Sequence, residues 1–173
     1  DMIPYASTAT IAMAFPRTQT SAIEGFGFII PRREQRDLIA ATWTSLKWPH
    51  RAPANQLLAR CYIGGVGRED ILQLDDETLV AKVREELAAV CGISVEPTFT
   101  EVNRWWKAMP QYTIGHLDRL AQLDAAVSRY PGLILTGAGY RGVGIPDCIR
   151  DGVLAAERVV QDLVGGKSLS GRS

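Results

Sequence analysis

The sequence predicts a mixed α/β fold, in which a mainly antiparallel sheet is followed by helices and by a strand–loop–helix unit. Three observations support this prediction. Four apolar runs typical of strands follow one another early in the chain with no helical pattern between them, which favours antiparallel pairing. Amphipathic helical patterns come next. Towards the end of the chain, a short apolar run leads through four glycines into another helical pattern.

The predicted strands occupy the first third of the chain. They are Ser7 to Phe15, Phe26 to Ile30, Leu38 to Thr44 and Leu57 to Ile63. In the first of them, small residues alternate with large apolar ones, as in a strand with one buried face. Charged or proline-containing stretches separate the runs and are typical of turns and loops.

Helices are predicted in the middle of the chain. Asp75 is a good N-cap, and Gly92 suits the position just after the C-terminus of the helix that Asp75 begins. A strand from Val95 to Trp105 and a second helix from about Gly115 to Arg129 follow.

An apolar run and a glycine loop precede the last helical pattern. Leu133 to Leu135 is typical of a buried strand, and Pro146 suits the first turn of a helix whose apolar spacing runs from Ile149 to Leu163. The glycines between them are Gly137, Gly139, Gly142 and Gly144. A strand, loop and helix N-terminus in this order would let backbone N–H groups and the helix dipole face an anionic ligand.

The glycines from Gly137 to Gly142 match the spacing G-x-G-x-x-G, but their context differs from that of the dinucleotide fingerprint. That fingerprint requires a second strand with an acidic residue about 20 positions further on. Here Gly165 to Ser173 is a polar tail without a strand pattern. A loop whose glycines only form a tight turn is the alternative.

The composition gives no electrostatic sign of nucleic-acid binding, because the 173 residues carry a formal net charge of zero. At 46% hydrophobic residues, the chain can bury a core as a single domain. No apolar run reaches the length of a membrane span, and the first residues lack the pattern of a signal peptide. Cys61, Cys91 and Cys148 are isolated and odd in number, so we expect a reducing, cytoplasmic setting with no disulfide framework and no metal site.

Several blocks of the chain resemble one known family. Thr136 to Gly152 closely resembles the C-terminal motif of the FAD-dependent protoporphyrinogen and coproporphyrinogen oxidases of haem synthesis, which are similar to flavin amine oxidases. Ala40 to Pro53, Leu58 to Gly65 and Arg104 to His116 resemble further blocks of these oxidases, in the same order. The resemblance covers the chain from about Ser7 to Val160. It implies the C-terminal part of a longer two-domain flavoprotein, because the family's N-terminal Rossmann half has no counterpart here.

The resemblance also implies site residues. The implied FAD-binding residues are Gly137, Gly142, Val143, Gly144, Ile145 and Trp105. The implied substrate-binding residues are Trp43, Phe26 and Ile29, with the Trp43 ring stacked on the tetrapyrrole. A core position is the alternative for both tryptophans. Because the flavin accepts the hydride in this family, no catalytic acid or base is assigned, and we expect His116 to be a polar cap or a surface group.

The resemblance implies a division of the chain into domains. Residues 1–103 would belong to the substrate-binding domain, residues 104–164 would close the FAD-binding domain, and residues 165–173 would form a flexible tail. The Rossmann half of the flavoprotein is then the missing partner.

Two classes of function follow from the resemblance. The first is oxidation of a porphyrinogen on FAD, with molecular oxygen as the acceptor. The second is a truncated remnant or interaction module without the cofactor. Thr42 to Thr44 and Lys47 to His50 favour the coproporphyrinogen branch of the family, but Tyr140 and Arg141 depart from it. The substrate therefore stays open between coproporphyrinogen III and protoporphyrinogen IX, as does peripheral association of the whole protein with a membrane.

Overall fold

A computed structural model describes residues 3–164 of the chain. The chain divides into two compact units. The first is Ala6–Met109, and the second comprises the residues from Pro110 onward with those up to Tyr5. The break therefore follows Met109, a few residues beyond the predicted boundary at 103. The predicted tail, residues 165–173, lies outside the described residues.

The first unit is built on a five-stranded sheet. Its strands are β1 (Tyr5–Pro16), β2 (Gly27–Ile29), β3 (Leu38–Trp43), β4 (Gln56–Gly64) and β5 (Phe99–Pro110), in the spatial order β2-β3-β4-β1-β5. The β2–β3, β3–β4 and β4–β1 pairs are antiparallel. Hydrogen bonds place Thr98 beside Ala14 and Lys107 beside Ser7, so β5 also runs opposite to β1. The predicted mixed fold with a mainly antiparallel sheet is confirmed.

One face of this sheet forms the core with the helix α2 (Asp76–Cys91). The buried side chains of β1 and β4 recur at every second residue, which is the period that places successive side chains on opposite faces. Leu79, Val83 and Leu87, spaced by four residues, cover them from α2. A short helix, α1 (Thr44–Lys47), follows β3.

The predicted ends of α2 are confirmed. The Asp75 carboxylate accepts hydrogen bonds from the backbone N–H of Thr78, at 2.8 Å, and from the Thr78 hydroxyl, at 2.9 Å. These bonds stabilise the ionised form and hold the pKa of Asp75 below its usual value. Gly92 ends the helix with a left-handed backbone, at a φ of 73°.

Trp43 lies in the core. Its side chain is 3% exposed, and its ring packs edge-on against Phe28 at a centroid distance of 5.8 Å. It sits opposite Ala59, on the same face of the sheet as Cys61 and Ile63, and therefore on the face that α2 covers. Of the two predictions for Trp43, substrate contact and a core position, the structure agrees with the core position. Its ring has no exposed face that a substrate could contact.

Cys61 is also part of this core. Burial raises the pKa of its thiol to about 12, with a smaller contribution from Cys91. All three cysteines are free thiols. A buried thiol that stays protonated is a poor nucleophile and a poor metal ligand.

The second unit contains two helices, α3 (His116–Val127) and α4 (Ile145–Val164). The predicted strand from Leu133 to Leu135 is wrong, since the structure has no regular secondary structure there. An apolar run becomes a strand only when a neighbouring strand accepts its backbone hydrogen bonds, and no strand among the described residues pairs with it. Likewise β5 begins at Phe99 rather than Val95, beyond Pro97, which cannot donate to a ladder.

Membrane insertion can be tested against the helices. Within residues 3–164, none is both long enough and apolar enough to cross a bilayer.

Because Trp43 fills the core, we predict that Trp43→Ala lowers the free energy of unfolding by about 3–5 kcal/mol, the usual cost of removing a buried aromatic ring. The matched control is Trp106→Ala, since Trp106 is half exposed and its loss should cost less than about 1 kcal/mol. Urea denaturation of both variants gives the comparison. Equal and small losses would contradict the buried position.

Candidate functional site

The predicted FAD-binding residues other than Trp105 lie together in the second unit. Gly137, Gly142, Val143 and Gly144 belong to one loop, and Ile145 is the first residue of α4. Trp105 is on β5, in the first unit. The loop therefore leads directly into a helix N-terminus, as the sequence predicts.

Gly142 is a position that only glycine can occupy. Its φ is 142°, which side chains other than hydrogen rarely permit. A Cβ at this position would lie 2.4 Å from the Cβ of Asp147, far inside van der Waals contact. The loop thus presents bare backbone at this point.

Tyr112 fixes the loop from the segment before α3. Its hydroxyl donates a hydrogen bond to the Ala138 carbonyl, at 2.7 Å, and accepts one from the Gly142 N–H, at 2.8 Å. One hydroxyl therefore joins the two ends of the glycine loop. Its ring stacks on that of His116, with centroids 3.8 Å apart and planes 14° from parallel.

His116 is buried beneath the loop. Its side chain is 8% exposed, and Nε2 lies 2.8 Å from the carbonyl oxygen of Tyr140. Because a carbonyl only accepts, Nε2 must carry a proton and donate it in this contact. Nδ1 has no hydrogen-bond partner among the described residues. The prediction of a polar cap or surface group is wrong, since the ring supports the loop from inside.

Asp151, in the second turn of α4, holds the beginning of the loop. Its carboxylate accepts hydrogen bonds from the Thr136 hydroxyl, at 2.7 Å, and from the Gly137 N–H, at 3.2 Å. The hydroxyl of Thr136 is the main cause that lowers the pKa of Asp151, with help from the Gly137 N–H and from Arg141. Arg141 in turn pairs with Asp124 of α3, at 2.6 Å. Contacts to both helices therefore define the conformation of the loop.

The exit of the loop can receive an anionic or electron-rich group. The N–H groups in the first turn of a helix have no partner within the helix, and the helix dipole makes that end positive. Pro146 supplies the helical φ without adding a donor. The side chains of Val143 and Ile145 are exposed and are not part of the core. Bare backbone next to a helix N-terminus fits the binding of a flat, polar-edged cofactor such as FAD.

A second candidate surface is the face of the sheet that α2 does not cover, here called the open face. Ile29 of β2 lies opposite Ala40 and is 80% exposed, and Phe26 just before β2 is also exposed. Trp105 is 52% exposed, and its Nε1–H donates to the Thr10 hydroxyl at 3.3 Å. Ile29 and Trp105 thus belong to the open face, whereas Trp43 lies on the opposite one.

Sequence reasoning missed two supporting features. The stacked pair of Tyr112 and His116 is visible in the sequence only as two ring residues four positions apart before a helix. Arg60 is the single charged residue in the apolar run of β4, and its position alone places it on the open face. The described residues contain no cluster of potential metal ligands.

The pKa of Asp151 leads to a pH-dependent prediction. The pKa of Asp151 in the folded protein is lower than its unfolded value of about 4. The contribution of Asp151 to the free energy of unfolding is therefore fully present above the unfolded pKa and is lost as the pH falls through the folded pKa. Asp151→Asn should lower the thermal unfolding midpoint at pH 7, and the gap to wild type should narrow below about pH 4. Glu157→Gln, an exposed acid of the same helix, is the control. A gap that is constant from pH 3 to pH 7 would contradict the assignment.

Comparisons with known proteins identify the family of the chain. Residues 1–160 match the model of the family described as flavin containing amine oxidoreductase. The chain is 44% identical over 151 residues to a coproporphyrinogen III oxidase of Bacillus subtilis, covering 86% of this chain and 32% of that protein. It is 40% identical over 159 residues to a coproporphyrinogen III oxidase of Staphylococcus aureus, and this match covers 91% of this chain and 34% of that protein.

A solved structure shares the fold. It is that of a protein from Exiguobacterium sp. 255-15 that is provisionally named a protoporphyrinogen oxidase, with a TM-score of 0.82 and 33% identity. The match covers 92% of this chain and 36% of that one. The chain thus spans about a third of the length of these relatives. Because the family model matches residues 1–160 of the 173 in this chain, the chain belongs to the flavin containing amine oxidoreductases.

Proposed function

We propose that the protein to which this chain belongs oxidises a porphyrinogen, coproporphyrinogen III in the first place, to the porphyrin. The reaction would use FAD, with molecular oxygen as the final acceptor, in haem synthesis. The observation that carries this proposal is the 44% identity over 151 residues to a coproporphyrinogen III oxidase. The alternative substrate is protoporphyrinogen IX, since the less similar relative of known structure is provisionally named a protoporphyrinogen oxidase.

In this proposal the glycine loop holds the flavin. Gly142, Val143, Gly144 and Ile145 would contact FAD through their backbone, and Gly137 would shape the entry to the loop. The support is that Gly142 has neither room nor backbone conformation for a side chain. Tyr112 and Asp151 would keep the loop in place when FAD binds, so that little conformational entropy is lost.

The open face of the sheet is the proposed substrate wall. Phe26, Ile29 and Trp105 offer exposed apolar surface. A porphyrinogen carries four apolar pyrrole rings joined by saturated methylene bridges, and such a ligand gains most from contact with a broad apolar wall. For Trp105, contact with FAD stays a prediction. Trp43 is not part of this wall.

The chain's own part in the reaction is to bind and orient. Conversion of a porphyrinogen to the porphyrin removes six hydrogens, as three hydrides and three protons, and bound FAD would supply the acceptor for each hydride, with molecular oxygen as the final acceptor in each of three rounds. The loop would place backbone N–H groups against the cofactor, and His116 would support the loop from beneath through its contact with the Tyr140 carbonyl. Neither His116 nor Asp151 is proposed as an acid or base, because both are engaged in holding the loop.

The remaining two-thirds of the flavoprotein is the proposed partner of α4. No residue of α4 is buried within this chain, although it is strongly amphipathic and leaves an apolar stripe exposed. A cavity of about 1070 Å³ lies between this helix and the segment that follows α3. Exposed apolar surface of this kind marks a contact site, and FAD also needs a Rossmann segment for its pyrophosphate and adenosine.

The first test is cofactor retention. We predict that the 173-residue chain expressed alone is colourless and leaves porphyrinogens unoxidised, because a helix end contributes only about 0.3–1 kcal/mol per favourable charge. Co-expression with the N-terminal segment of the B. subtilis relative should give a yellow protein with flavin absorbance that survives desalting. Stoichiometric FAD on the lone chain would contradict this division of the site. A colourless co-purified complex would favour a module without cofactor.

The second test compares two glycines. In the complete flavoprotein, Gly142→Ala should abolish bound flavin, because the new Cβ meets Asp147 and the φ is positive. Gly152→Ala is the matched control, since a Cβ there meets nothing within 4 Å and alanine favours a helix. Flavin content per mole of protein is the measurement. Full flavin in Gly142→Ala would show that the loop does not face the cofactor.

A further inference from the structure

Arg60 stands in the middle of the open face. Its neighbours along β4, Ala59 and Cys61, are fully buried on the core face, so the side chain of Arg60 projects from the other side. Across the strands it lies opposite Ala12 of β1 and Thr42 of β3. Both neighbours are small, and the long arginine side chain therefore rises above them.

The guanidinium of Arg60 has no partner of its own. It makes no hydrogen bond and no ion pair with the residues that the structure describes, whereas Arg36, Arg68 and Arg104 of the same unit each pair with a carboxylate. Around Arg60, the residues of the open face on β1, β3 and β4 are Ala12, Ala14, Ala40, Thr10, Thr42, Leu58 and Tyr62, and none of these is acidic. On β5, Glu101 lies on the same face as Trp105 and accepts a hydrogen bond from Asn103, at 3.0 Å. No ion pair among the described residues joins Glu101 to Arg60, so the guanidinium is an unpaired cation whose neighbours on β1, β3 and β4 are uncharged.

This arrangement matches one kind of ligand. A guanidinium is a planar fork of five donors that binds carboxylates in a bidentate way. Tyr62 lies two residues along β4, and Trp105 reaches the same face through its hydrogen bond to Thr10. A surface of apolar and aromatic side chains with one unpaired cation fits a macrocycle of apolar pyrrole rings with carboxylates at its rim.

We propose that Arg60 binds a peripheral carboxylate of the tetrapyrrole and thereby selects the substrate with the larger number of carboxylates. This inference rests on the proposed function and deepens it. Arg60 acts on specificity and takes no part in the transfer of hydrogen.

The number of carboxylates decides the selectivity. Coproporphyrinogen III carries a carboxylate on every pyrrole ring, so one meets Arg60 whichever edge of the macrocycle lies over it. Protoporphyrinogen IX carries carboxylates on only two adjacent rings and has an apolar edge opposite them. When that edge covers Arg60, the cation loses water without gaining an anion, which is unfavourable.

The test measures specificity in the complete flavoprotein. For wild type and Arg60→Leu, kcat/KM is determined with coproporphyrinogen III and with protoporphyrinogen IX. We expect the ratio of the two values to fall about tenfold in Arg60→Leu, as for the loss of one charge-assisted hydrogen bond. Arg60→Lys keeps the positive charge but lacks the planar guanidinium, so its ratio of kcat/KM values should lie between those of wild type and Arg60→Leu.

The matched control is Arg84→Leu, which removes the same charge from α2, on the covered side of the sheet, and should change the ratio less than twofold. Thermal unfolding midpoints establish that each variant is folded. A ratio that is unchanged in a folded Arg60→Leu, or one that falls equally in Arg84→Leu, would overturn the proposal.

Binding of coproporphyrin III, followed by fluorescence anisotropy on the same proteins, separates this proposal from the proposed function. If wild type oxidises neither porphyrinogen, the proposed function fails, while a dissociation constant that rises about tenfold in Arg60→Leu still supports the carboxylate site. An equal dissociation constant in both proteins, or no binding to wild type, overturns the site.

Discussion

The strict two-residue alternation of β1 and β4 is the constraint on which the first unit depends. Ile11, Met13 and Phe15 point to the side that α2 covers, and the residues between them point the other way. A shift of register by a single residue would expose this apolar set and bury the open face. Because burial of the core fixes the register, it also fixes which side chains the open face presents.

The same constraint explains why the edge of the sheet needs a glycine. β2 has only three residues, and a Cβ at Gly27 would lie 2.1 Å from the carbonyl oxygen of Ala41. The close approach lets β2 pair with β3 while Ile29 stays on the open face. A side chain at position 27 would separate the two strands and displace the proposed substrate wall. Gly27 and Gly142 therefore have different roles. Gly27 permits strand pairing in the first unit, and Gly142 permits the backbone conformation of the loop in the second.

Much of the fold could be predicted from the sequence, because local patterns determine it. The alternation in β1 and β4, the Asp75 cap and the Gly92 terminus are each encoded within a few residues of where they act. The glycine loop and the start of α4 were found for the same reason. The prediction for the segment from Leu133 to Leu135 is wrong, because an apolar run indicates burial but not the presence of a partner strand. No strand among the described residues pairs with this segment.

The side-chain roles were harder to predict, because they depend on contacts between distant residues. Trp43 lies on the core face owing to its register with Ala59, and an irregularity in β3 between Leu38 and Ala40 hides that register from simple counting. His116 is buried by Tyr140, which is 24 residues away. The family resemblance indicates the glycine loop as the FAD site, which stays a prediction, but it could not assign faces of the sheet. Faces follow only from the pairing of the strands.

Under the proposed function, selectivity for an anionic substrate would come from a local charge in this part of the flavoprotein. The chain's formal net charge is zero, so it offers no long-range field that would steer a polycarboxylate towards it. Two other cations of the unit, Lys82 and Arg68, do not serve this role, since both pair with Asp37 beside α2, at 3.0 and 3.4 Å. Such pairs neutralise each other and join α2 to the beginning of β3. An unpaired guanidinium surrounded by small and aromatic residues keeps its full attraction for a carboxylate, and Arg60 is placed where the strands hold the open face flat.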